Sequence, residues 1–222
     1  KPGVPLHLEI ALAVQIVTAG IFSLSANYLM ERRRCLDYVT ALTATHRAER
    51  AEVSHRHLTE MSQTDALTGL PNRRYLDDRL AVWCAGPNRV ATLMIDVDHF
   101  KLYNDSLGHP AGDDCLRQLA QVFRDALPDS GAFCARFGGE EFVIALQDAP
   151  AGVAQQLARR IVTDVRALAI AHPGRGDSTA IVTVSVGLAA AAAHEPANPG
   201  TLIAQSDASL YAAKRAGRNR IE

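Results

Sequence analysis

The sequence holds no CxxC pair. Its four cysteines, Cys35, Cys84, Cys115 and Cys134, are scattered. That spacing fits free thiols in a reducing compartment better than a disulfide frame or a thiolate zinc site. Neither sign of charge is in excess, with 23 Lys and Arg against 24 Asp and Glu. A nucleic-acid binder carries a basic footprint, so no nucleic acid is expected as a partner. No clean long apolar run is present either. The nearest, residues 6–30, is interrupted by Glu9, Gln15 and Asn27. The chain opens on Lys1 rather than Met, which reads as a piece of a longer protein.

What is there suits a globular domain with an appendage. Hydrophobic residues make up 48% of the chain and charged residues 21%, enough for a sizeable core. Three pieces follow one another. Residues 1–30 read as the end of a transmembrane or sensor region. The run 6–30 has the length of a bilayer span and ends in Glu31-Arg32-Arg33-Arg34, a basic flank of the cytoplasmic kind. Its polar residues would then face other helices. The other reading is an amphipathic helix of a soluble sensor. Residues 31–64 lack Gly and Pro and read as a helical signalling linker, with Val39, His46, Val53 and Glu60 at heptad spacing. His55 and His57, two apart, would point to different sides of that helix, which argues against a metal pair and for solvated surface residues.

Residues 65–222 alternate helical and strand patterns. Strands are expected at 91–97, 132–137, 142–146 and 181–188, and helices at 113–124, 153–168 and 206–216. Gly138-Gly139 reads as a hairpin turn between two of the strands. An antiparallel hairpin within a helix-covered sheet argues for an α+β fold. Asp96-Val97-Asp98 closes a buried strand, and Glu140-Glu141 follows the two glycines. Glycines there admit positive φ and let a phosphate approach the backbone. If the two strands are neighbours, Asp96 and Glu140 converge into the kind of oxygen site that magnesium completes with substrate phosphates. The alternative is that Asp96 only caps the next helix.

The motifs together resemble the GGDEF family. The signature stands as Arg136-Phe137-Gly138-Gly139-Glu140-Glu141-Phe142, the GGEEF form. Upstream are Asp65-Ala66-Leu67-Thr68-Gly69-Leu70-Pro71-Asn72-Arg73-Arg74 and Asp96-Val97-Asp98-His99-Phe100-Lys101, then Asn104 and Gly108-His109-Pro110-Ala111-Gly112-Asp113. Downstream are Val184-Ser185-Val186-Gly187, Asp207-Ala208-Ser209-Leu210-Tyr211, Lys214 and Gly217-Arg218-Asn219.

The resemblance implies a palm-like sheet, as in nucleotidyl cyclases, preceded by a long N-terminal helix. It implies a diguanylate cyclase that joins two GTP into cyclic di-GMP. Asp96, the carbonyl of Val97 and Glu140 would hold magnesium, or manganese in its place. Glu140 and Glu141 would help activate the ribose 3′-hydroxyl. Lys101, Lys214 and Arg218 would neutralise the phosphates, with Gly138 and Gly139 beside the α-phosphate. Lys214 and Arg218, four apart, are expected on one helix face. Asn104 and Asp113 would read guanine, and His109 would shape the pocket. Asp113 argues against ATP, because adenine offers no matching donor pair to a carboxylate. Each domain would hold one GTP, so a homodimer is implied. The place implied is the inner membrane with the catalytic domain in the cytoplasm, or the cytoplasm itself if 6–30 is no span. At the place of the family's inhibitory RxxD stands Asp129-Ser130-Gly131-Ala132, with Asp129 at the Arg position and Ala132 at the Asp position. The competing reading is a non-catalytic nucleotide-binding signalling domain, which the retained acidic residues disfavour.

Overall fold

The structure, a computed structural model, describes residues 15, 17–34, 38, 63–176, 179–192 and 197–222. The chain divides into two compact units, Lys1–Met61 and Ser62–Glu222. The first unit contributes helix α1, residues 17–34. Apolar side chains such as Phe22 and Leu24 are exposed along it. Among the described residues no helix is long and apolar enough to cross a membrane. Most of the linker, with its heptad positions and His55 and His57, lies outside the described residues.

In the second unit the order is α2 (Arg73–Cys84), β1 (Val90–Val97), α3 (Phe100–Leu107), α4 (His109–Ala126), β2 (Ala132–Gly138), β3 (Glu141–Gln147), α5 (Ala151–Ala167), β4 (Val184–Ala191) and α6 (Pro199–Arg215). The sheet runs β2-β3-β1-β4. Every neighbouring pair is antiparallel. This is the α+β, helix-covered sheet expected from the sequence.

The sheet is buried on both faces, which explains the unbroken apolar run of β1. Leu93, Ile95 and Val97 join α4 and α5 through Leu116, Leu119, Phe123, Leu157 and Ile161. Met94 and Val90 meet Leu76, Leu80 and Trp83 of α2 and Leu202 and Leu210 of α6. Each fully buried side chain of this size contributes about 1.5–3 kcal/mol. At Gly187 a methyl group would overlap Leu210 N and Ser206 O, so glycine there lets α6 lie directly on β4.

Three of the expected elements differ in their bounds by three residues or more, one being α4, which starts at His109 rather than Asp113. The run Ile181–Leu188 does not enter the sheet whole. Ile181 bridges Ala171, Val182 N donates to Ile170 O at 2.8 Å, and β4 starts only at Val184. Helix α6 begins at Pro199, not Ser206, because Asn198 caps it by accepting from Gly200 N at 2.8 Å and Thr201 N at 3.3 Å. Asn followed by Pro at the first helical position is a start signal that the apolar periodicity hides.

Candidate functional site

Asp96 lies one residue before the end of β1, in the middle of the sheet. Glu141 of β3 stands opposite it on one side and Ser185 of β4 on the other. The strand alternation turns residue 96 to the α6 face, where Lys214 Nζ lies 2.8 Å from Asp96 Oδ2. Burial pushes the Asp96 carboxyl up to about 6. The hydrogen bond and charge of Lys214 oppose the rise, and the charges of Glu140 and Glu141 add to it. Those repulsions place both glutamates within electrostatic reach of Asp96. Val97 ends β1 opposite Val184.

The two-residue turn between β2 and β3 is Gly139-Glu140, with Gly138 facing Glu141 in the ladder. Gly139 takes φ +52°. Gly138 has no such need, and a methyl group on either glycine would meet no protein atom within 4 Å. The space over both glycines is therefore open. Arg136 holds the turn from behind: its Nε and Nη2 donate to Gly139 O at 2.9 and 2.7 Å, and Nη1 lies 3.1 Å from Asp65 Oδ1. Asp65 also accepts from the Thr68 backbone N–H at 2.9 Å and from its hydroxyl at 2.7 Å. Burial raises the Asp65 carboxyl, but the Thr68 bonds and Arg136 outweigh it and hold the group below the usual carboxylate range. The opening motif thus braces the acidic turn, a role its residue types alone do not reveal.

Helices α3 and α4 meet at Gly108, whose φ is +85°. The junction sets Asn104 against Gly112, where a methyl group would overlap Asn104 Oδ1. That oxygen is buried and has no hydrogen-bond partner among the described residues. Asp113 follows Gly112 and is exposed, as are His109 and Lys101. A buried acceptor without a partner, next to a free carboxylate, is what a donor-rich ligand edge would satisfy.

The C-terminal turn corrects one expectation. Helix α6 stops at Arg215, Gly217 takes φ +115° and Arg218 φ +63°. Arg218 N donates back to Ala213 O at 3.0 Å, the helix-ending pattern that reverses the chain. Lys214 and Arg218 therefore do not share a helix face. A cavity of about 270 Å³ lies beside Lys214, lined by Asp207, Ala208, Leu210 and Tyr211.

Asp98 separates from Asp96 in role. Its carboxylate is buried and takes bonds from Thr183, Ser185 and the Asn219 backbone. Among the described residues no three His, Cys, Asp or Glu side chains form a metal cage. Magnesium needs none. It binds through one or two carboxylates plus substrate phosphates, so Asp96 and Glu140, which feel each other's charge, are the candidates that would hold it.

A four-stranded antiparallel sheet with carboxylates gathered at the end of a central strand is the palm-like architecture of nucleotidyl cyclases. The chain belongs to the GGDEF family: the family described as "Diguanylate cyclase, GGDEF domain" matches residues 62–220. It is 38% identical over 179 residues to diguanylate cyclase DgcP of Pseudomonas aeruginosa, covering 78% of this chain and 26% of DgcP. It is 35% identical over 204 residues to diguanylate cyclase DosC of Escherichia coli K12, covering 90% of this chain and 42% of DosC. The chain thus spans less than half the length of these curated relatives. Among solved structures it resembles the coiled coil and GGDEF domain of DgcB from Caulobacter crescentus in complex with c-di-GMP. That likeness has a TM-score of 0.65 at 30% identity, over 82% of this chain and 96% of that one. It also resembles the active GGEEF domain of a Vibrio cholerae diguanylate cyclase, with a TM-score of 0.57 at 33% identity, over 68% and 95% of the two chains.

Proposed function

We propose that this chain condenses two GTP into cyclic di-GMP with release of two pyrophosphates. The observation that carries the reading is the register that sets Glu141 opposite buried Asp96, with Glu140 in the adjoining turn, whose glycines Gly138 and Gly139 face open space. In each half-reaction the 3′-oxygen of one GTP forms a bond to the α-phosphorus of the other. The bond to the β-phosphate bridging oxygen breaks, and pyrophosphate leaves. Glu140 or Glu141 accepts the hydroxyl proton. Asp96, the Val97 carbonyl and Glu140 would hold magnesium, which when bound polarises the hydroxyl and the α-phosphate. Lys101, Lys214 and Arg218 neutralise the outer phosphates. Asn104 and Asp113 take the guanine edge, and His109 borders it. Lys214 pairs with Asp96 in this structure, so it reaches phosphate by giving up that pair.

Two domains must meet, because each brings one nucleotide to the other, so the active form is a homodimer. The run 6–30 and Arg32–Arg34 support anchorage at the cytoplasmic side of a membrane, which fractionation of the full-length protein tests. The purified chain with GTP and magnesium should yield a product of the mass of cyclic di-GMP. Asp96→Asn and Glu140→Gln should abolish it with the fold kept. Full synthesis by either variant, or none by the wild type, overturns the reading.

A further inference from the structure

The sequence groups Asp98 with Asp96, yet the structure gives it no access to a ligand. Asp98 is 1% exposed. Its Oδ1 accepts from Ser185 Oγ at 2.7 Å, and its Oδ2 from Thr183 Oγ1 at 2.7 Å and Asn219 N at 3.1 Å. Its own N–H donates to Thr183 O at 2.9 Å. The Thr183 hydroxyl spends its one proton on Asp98 and accepts from Arg175 Nη1 at 2.8 Å. One carboxylate thereby ties together the end of β1, the start of β4 and the C-terminal turn.

The turn needs that tie. Arg218 and Asn219 both hold left-handed backbone, at φ +63° and +51°. Asn adopts this conformation readily, but for Arg it is uncommon, so it is Arg218 whose backbone the surroundings have to hold. Arg218 is fixed on its N-terminal side by its bond to Ala213 O. On the C-terminal side the next N–H is fixed by Asp98 Oδ2. A charge-assisted bond to a buried carboxylate is the stronger kind. Asn219 Oδ1 is buried without a partner among the described residues, so its side chain does not offer the turn a substitute anchor there.

We infer that Asp98 is a positioning residue for Arg218: through the Asn219 backbone it fixes the direction in which the Arg218 guanidinium meets the nucleotide's phosphates. The inference rests on the function proposed above. Asp98 touches neither metal nor nucleotide and acts only through the turn. Its loss should loosen nucleotide binding and leave the chemistry at Asp96 and Glu140 largely in place.

A double-mutant cycle tests this with the whole chain, reading KM for GTP and kcat. Asp98→Asn should raise KM about tenfold with kcat changed less than about threefold, and Arg218→Ala should raise KM by a similar factor. The double variant should match Arg218→Ala alone, because the positioned group is already gone. A double variant whose KM multiplies the two single effects overturns the inference, since a general structural role of Asp98 acts in both backgrounds. Should Asp98→Asn fail to fold by circular dichroism, Ser185→Ala removes one donor and keeps the carboxylate. The same cycle is then run with Ser185→Ala, and a multiplicative KM overturns the inference there too. If the wild type neither turns over nor binds GTP, the proposed function fails first and the inference falls with it. An active wild type with a multiplicative cycle sinks the inference alone.

Discussion

Gly112 and Asn104 are in such close contact that a methyl group on the glycine would overlap the amide oxygen of the asparagine. Helix α4 can therefore pass Asn104 only where it has no side chain. Gly112→Ala should push Asn104 away from its present place. The expected outcome is a rise of about tenfold or more in KM for GTP, with a stability loss of about 1–3 kcal/mol. Steady-state kinetics with urea unfolding check both. Unchanged KM would mean that Asn104 does not contact the base.

Asp96 should make stability, and the magnesium binding proposed for it, depend on pH in a defined direction. Its native carboxyl, pushed up to about 6 by burial first, binds a proton more readily than in the unfolded chain, where the ordinary value is 3.8. The native state therefore gains stability as pH falls from above 6 toward 4. Without metal, wild type should gain on the order of 2–3 kcal/mol relative to Asp96→Asn over that window. In the proposed site protons would compete with magnesium for the same oxygen, so the magnesium needed for half-maximal activity should rise below pH 6. Parallel melting curves and magnesium titrations measure the two effects. A flat difference between wild type and variant would contradict the buried, proton-hungry carboxyl.

Arg136 links Asp65 to the acidic turn, with both side chains mostly covered. Removing one partner leaves the other buried without its bond. Arg136→Met should cost about 1–3 kcal/mol in unfolding free energy. It should also lower kcat, because Gly139 loses the donors that hold its carbonyl. The depressed Asp65 carboxyl contributes stability above its unfolded value and loses it as pH falls through its native one. Chemical denaturation at neutral pH and below 4 should show the gap between wild type and Asp65→Asn narrowing in acid.

The resemblance to the family implies that Asp129 and Ala132 take the places of the Arg and Asp of RxxD, and the absence of product inhibition there is part of the function we propose. Asp129 is exposed and brings a negative charge toward any dianionic product at that position. Losing a bidentate Arg contact should weaken product binding there by about a hundredfold. Progress curves with added cyclic di-GMP should show synthesis continuing at micromolar product. Submicromolar inhibition insensitive to mutation of Asp129 would place an inhibitory site elsewhere.

The sheet itself is legible in the sequence. The apolar run of β1 and the glycine pair between β2 and β3 are local patterns, and burial on two faces or a tight turn imposes them on residues close together. The C-terminal turn is legible only in part: the helix end near residue 216 is, the course of the chain at Arg218 is not. The spacing of Lys214 and Arg218 suggests one helix face, and only the left-handed backbone after Arg215 shows otherwise. The early start of α6 escapes apolar periodicity because capping sets it.

The candidate residues and their order were legible in the sequence through the likeness of its ordered motifs to one family, since each carboxylate or glycine by itself is equally at home in a cap or a turn. Tertiary structure decided which of them act together. Asp96 and Asp98 are two apart and chemically identical, yet one stands among Lys214, Glu140 and Glu141 while the other disappears beneath Thr183, Ser185 and Asn219. The strand ends between them at Val97, so the alternation that turns Asp96 toward α6 no longer governs Asp98. Its partners lie 85 and more positions along the chain, brought near only by the pairing of β1 with β4 and the return of the C-terminal turn. Contacts across such separations are set by packing, and no local pattern encodes them.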